Sequence, residues 1–156
     1  MLKEIQGYLT SLHELSNQVV SLLDGLPQEA LDWRPIQGEK ELATNSLVAI
    51  ATHLAGSETY WIKEIIGHQP IQRDREAEFV TQGVKATELK ARLDAAAKIA
   101  EEVLSPLTES QLEEGRKFRD RSITVRWGIL HVIEHFATHI GHMQLTRQLW
   151  LVKTQK

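Results

Sequence analysis

The residues most able to do chemistry sit near the end of the chain, in His131-Val132-Ile133-Glu134-His135-Phe136-Ala137-Thr138-His139-Ile140-Gly141-His142. Four of the seven histidines fall within these twelve residues. On a helix turning about 100° per residue, positions 131, 135, 139 and 142 lie inside an arc of roughly 80°. Trp127 and Leu145 flank the stripe on one side, and Val132, Phe136 and Met143 on the other, so it is expected to face the protein interior. Imidazoles packed there cannot all carry a proton, and each ring nitrogen needs a partner. A divalent cation satisfies both demands, because it binds neutral imidazole at about 2.0–2.1 Å.

Spacing limits which residues can share an ion. Histidines four apart are about 6 Å apart along the axis and can converge, whereas His131 and His139 are about 12 Å apart. The pairs 131/135, 135/139 and 139/142 all remain open. A third ligand must come from another segment. His68 lies in a loop beside Pro70, and His13 is off the apolar stripe of its helix. His53 has small neighbours on its own face, Ala49, Gly56 and Ser57, then Tyr60, which leaves room for an ion and a ligand. The competing reading is a polar seam hydrogen-bonded to acids such as Glu58 or Glu134, or a stripe within a dimer interface. No general base stands out: Glu134 is about 100° off the stripe and Glu58 about 140° from His53. Tyr60 can hydrogen-bond a substrate or simply pack. Arg126, Arg147 and the charged run 73–76 are expected to be solvated.

Four segments carry the apolar three-four spacing of amphipathic helices. They span about Leu2 to Leu23, Asn45 or Ser46 to Gly67, Thr87 to Leu104, and Thr124 to Val152. Asp24-Gly25 with Pro27, and Ser105-Pro106, are stop signals. A long connection, His68 to Ala86, joins the second and third helices, and no strand-like alternation stands out between the segments. The expected architecture is all-α: a four-helix bundle forming one domain over residues 1–156.

Composition agrees. The chain has 156 residues, 42% hydrophobic and 25% charged, with a formal net charge of −3. That balance argues against a nucleic-acid binder. The absence of cysteine excludes disulfides, thiolate metal sites and cysteine nucleophiles. No apolar run reaches the roughly 18 residues of a membrane span, and the start lacks a signal-peptide core, so a cytoplasmic location is expected.

Three stretches together resemble the DinB/YfiT-like family of metal-dependent four-helix bundles: Leu26 to Pro35 after the first helix, Asn45 to Ala55 with Tyr60-Trp61 in the second, and the His-x-x-x-His of the last. The resemblance spans nearly the whole chain. It implies a triad of His53, His135 and His139 around a zinc or nickel ion, with water completing the shell. His142 stands where many members carry Gln. This leaves His142 and His131 as supporting, pocket-lining or structural residues. The resemblance further implies transfer of a low-molecular-weight thiol to an electrophile. Metal-dependent hydrolysis, or a stress-associated metal-binding module without turnover, are the alternatives. A homodimer is the expected assembly.

Overall fold

A computed structural model describes residues 1–38 and 43–155. The first helix, α1 (Lys3–Leu23), buries Ile5, Leu12, Ser16, Val19 and Leu23, one stripe at three-four spacing. It ends where Gly25 takes a left-handed φ of +71°, followed by the short α2 (Gln28–Asp32).

The next helix, α3 (Leu47–Thr59), is buried on nearly every side, which marks it as the central element. Of the two candidate caps, Ser46 does the work: its hydroxyl accepts from the Ala49 N–H at 3.2 Å. The helix continues as a π-helical segment (Tyr60–Ile66) that turns Trp61, Ile62 and Ile66 inward and stops at Gly67.

The long connection carries α4 (Arg75–Phe79), capped by Asp74. It leads to α5 (Ala86–Leu104), which starts one residue earlier than its sequence signal and buries Leu89, Leu93, Ala96, Ala100 and Leu104. A capping box between Thr108 and Gln111 opens α6 (Glu109–Leu112). Two short strands, β1 (Gly115–Phe118) and β2 (Arg121–Thr124), follow as an antiparallel hairpin with Gly115 opposite Thr124 and Phe118 opposite Arg121. This corrects the expectation of no strands. Each strand has four residues and only one buried side chain, Arg116 or Ile123, too short a pattern for alternation to register.

The hairpin feeds directly into α7 (Val125–Thr154), whose buried residues include Val132, Phe136, Ile140, Met143 and Trp150. Thr124 ends β2 and caps α7, accepting from the Trp127 N–H at 3.1 Å. Thr124→Ala is expected to cost about 1 kcal/mol, lowering the melting temperature by roughly 2–4 °C. Thermal unfolding followed by circular dichroism checks it.

The four long helices close a ring: α1 packs on α5 and α7, and α3 packs on the same two. This is the four-helix bundle, and its core runs from Leu12 and Leu23 through Leu54 and Leu93 to Phe136. Among the described residues, no helix is long and apolar enough to cross a membrane.

Candidate functional site

The site lies where α3 meets α7. His53 is 4% exposed and points from α3 at the histidine stripe. Its Nε2 is 3.1 Å from the Nε2 of His135. One ligating nitrogen each from His53, His135 and His139 all lie within 4.8 Å of one another. Two nitrogens bound to one tetrahedral ion at about 2.0–2.1 Å are about 3.4 Å apart, so this donor set suits a zinc-sized cation.

The spacing of α7 left three pairs open, and His53 faces 135 and 139. The rest of the stripe behaves differently. His131 stacks on Trp127, with ring centroids 5.0 Å apart and planes 6° apart, and also abuts Trp61. His142 is exposed, correcting the expectation that the whole stripe faces inward, and its Nδ1 lies 3.4 Å from that of His139. Beyond this point α7 still buries Met143, Thr146 and Trp150, and His142 itself meets solvent. His13 and His68 are exposed.

Protonation favours cation binding. Burial pushes His135 down to about 3, helped by the neighbouring charges of His139, His53, His131 and Arg73. Burial likewise lowers His139 to about 4, with His53, His142 and Arg75 adding to it. Both rings therefore keep a free lone pair at neutral pH. Burial also lowers His131, partly offset by Glu134.

The sequence reading missed Glu78. This carboxylate, on α4, is 8% exposed and accepts from His53 Nδ1 at 2.8 Å. An ionised carboxylate only accepts, so the proton sits on Nδ1 and the Nε2 lone pair is free. That assignment also makes the 3.4 Å approach of Arg73 Nη2 to His53 Nδ1 a contact rather than a hydrogen bond. Burial raises the Glu78 carboxyl, but hydrogen bonds from His53 and Arg73 outweigh it and hold the group below its ordinary value. Arg73 grips Glu78 through Nε at 2.6 Å and Nη2 at 2.8 Å.

Arg73 is thus drawn inward, unlike its neighbours Asp74, Arg75 and Glu76, which are exposed as expected. Part of the room that small residues leave beside His53 is filled by this carboxylate. A Cβ at Gly56 would overlap Glu78 Oε1. The signal was present as a glycine three residues after His53, but its counterpart is 25 residues away in sequence.

Two of the three triad histidines, His53 and His135, line a cleft of about 740 Å³, together with His131. Tyr60 and Trp61 line it too, and the Arg73 guanidinium lies 5.4 Å from the Tyr60 ring centre. Neither acid considered from sequence lines the cleft: Glu134 is exposed, and Glu58 is buried on another face of α3. Arg126 is not free, because it pairs with Glu4 at 2.7 Å and with Glu113.

A model of the family described as mycothiol-S-transferase matches residues 8–150. The chain belongs to this DinB-like family. Solved structures share its fold at low identity. A conserved protein from Enterococcus faecalis superposes with a TM-score of 0.78 at 17% identity, covering 96% of this chain and 98% of that one. A DinB-like protein from Bacillus cereus ATCC 10987 gives 0.71 at 18% identity, covering 92% and 90%. An uncharacterised protein from Clostridium difficile 630 gives 0.67 at 11% identity, covering 92% and 95%. A comparison with curated proteins gives no match.

Proposed function

We propose that His53, His135 and His139 hold one zinc or nickel ion, and that this mycothiol-S-transferase family member joins a low-molecular-weight thiol to an electrophile. The observation that carries the reading is the meeting of three imidazoles, two of which, His53 and His135, form part of the wall of an open cleft. Three protein ligands beside open space is the pattern of a reactive rather than a closed structural site. Membership of the family supports thiol chemistry.

Bound there, such a cation supplies Lewis acidity that favours thiolate over thiol at neutral pH. The protein's own groups do the positioning. Glu78 fixes the His53 tautomer, and Arg73 fixes Glu78. Phe79 lies over the His53 ring with centroids 4.5 Å apart and screens it from water. Trp61 and Phe118, 4.4 Å apart, give the cleft an apolar wall against which an electrophile's carbon skeleton can lie. The hydrolytic alternative has less support, because Glu64, the one carboxylate among the described lining residues, already accepts from the Ile71 N–H.

The test is elemental analysis of the purified protein, followed by thiol consumption with 1-chloro-2,4-dinitrobenzene before and after chelation. About one metal per chain and chelator-sensitive consumption are expected. Metal-loaded protein that consumes no thiol overturns the transferase reading.

A further inference from the structure

The protein carries a net charge of −3, yet the cleft above the imidazoles is strongly cationic. Arg73, Arg75, Lys117, Arg119 and Arg121 line it, against one carboxylate, Glu64, among the described residues. Arg73 is neutralised by Glu78, and Arg75 pairs with exposed Glu76 at 3.0 Å. Lys117, Arg119 and Arg121 come from the β1–β2 hairpin and form no ion pair among the described residues. The net excess is thus concentrated on one rim, where it attracts anions.

The two hairpin arginines are held by aromatic faces instead of acids. The Arg121 guanidinium lies 4.5 Å from the Trp127 ring centre, and that of Arg119 lies 5.2 Å from Phe118. Stacking of this kind steadies a guanidinium while leaving its edge N–H groups available to a carboxylate. Arg119 also occupies a left-handed φ of +57° in the turn. Glycine or asparagine sits there at least cost, so an arginine is an expensive choice for a turn alone.

We propose that this rim recognises the carboxylates of a small anionic substrate, with Arg119 and Arg121 as its carboxylate-binding residues and the reacting atoms toward the three imidazoles. The inference rests on the thiol-transfer reading for its orientation, but the anion site stands or falls by itself. The carboxylates belong either to the thiol or to the electrophile. In the transfer, the sulfur–carbon bond forms at the electrophilic carbon. With a chloroarene the carbon–chlorine bond breaks, chloride leaves with its electron pair, and the thiol proton passes to water.

Binding is measured first, on metal-free protein, by calorimetry with S-methyl mercaptosuccinate and with its dimethyl ester. The methylated sulfur removes thiol chemistry from the comparison. The dicarboxylate is expected to bind at least tenfold more tightly than the diester. Arg119→Gln with Arg121→Gln should erase that preference, while Lys90→Gln with Lys98→Gln, on the exposed face of α5, should leave it intact. Equal binding of acid and ester, or a preference that survives Arg119→Gln with Arg121→Gln, overturns the proposal.

Kinetics then identify the source. Mercaptosuccinate with 1-chloro-2,4-dinitrobenzene is compared with N-acetylcysteamine and 4-chloro-3-nitrobenzoate. The pair whose KM rises in the hairpin double variant carries the recognised carboxylate. If the dicarboxylate preference holds while no thiol is consumed, the anion site stands and the transferase reading falls.

Discussion

Replacing His135 by Ala is expected to abolish the thermal stabilisation that zinc or nickel gives the wild-type protein. An ion that binds only the folded chain, supplied at a thousand times its dissociation constant, stabilises by about 4 kcal/mol. For a chain of this size that corresponds to roughly 8–16 °C in melting temperature. With two imidazoles left, the shift should fall below about 3 °C. Glu78→Gln is expected to be intermediate, weakening metal binding by about 10–100-fold, because it loosens the His53 ring without removing a ligand. Differential scanning fluorimetry against metal concentration reads both variants. An undiminished shift in His135→Ala would place the ion elsewhere.

The same variant carries a pH signature. The folded pKa values of His135 and His139 are lowered from 6.5 to about 3 and about 4, so the unfolded chain takes up protons before the folded one does. The contribution of these two rings to the stability of the metal-free protein is therefore complete above pH 6.5 and declines as the pH falls towards 3 to 4. His135→Ala should make that acid limb shallower.

Glu58→Met is expected to stabilise the protein, and increasingly so at alkaline pH. Glu58 is 1% exposed, on the face that buries Ala51 and Leu54 of α3 and Ile62 of the π-helical segment, and its Oε2 has no hydrogen-bond partner among the described residues. Burial pushes its carboxyl from 4.5 up to about 8. A folded pKa above the unfolded one means that stability is complete below pH 4.5 and is lost as the pH rises to 8. The slope is about 1.4 kcal/mol per pH unit, which amounts to about 3 kcal/mol by pH 7. Methionine has similar volume and no charge to desolvate, so the variant should gain about that amount at pH 7.

The histidines oppose this slope below pH 6.5, so the interval from pH 7 to 8 isolates Glu58. There the wild type should lose about 1 kcal/mol, less than the full slope because the folded carboxyl begins to ionise, while Glu58→Met stays level. Urea unfolding at the two pH values measures the difference. A variant less stable than the wild type at pH 7 would show that the carboxyl has a partner in the core.

Much of the helical frame was readable because it depends on local chemistry. The ends of α1 and α5 follow from Gly25, Pro27 and Ser105-Pro106, and the start of α3 from Ser46, each a residue acting on its own backbone. The hairpin escaped because Arg116 and Ile123, its only buried side chains, give no period to detect. The charged run 73–76 read as solvated because Arg73 looks like its neighbours until it and Glu78 are seen to hold each other against His53.

By itself, the sequence determined an all-α chain with a histidine stripe on its last helix, since helical period and capping are properties of neighbouring residues. It also singled out His53 through the small residues around it. Only the tertiary structure decided which histidines of α7 face His53, because that depends on how α3 packs against α7, and axial spacing alone allows three pairings. It likewise brought Glu78 to His53 Nδ1 and the hairpin arginines to the cleft, contacts between residues far apart in the chain that no local pattern encodes.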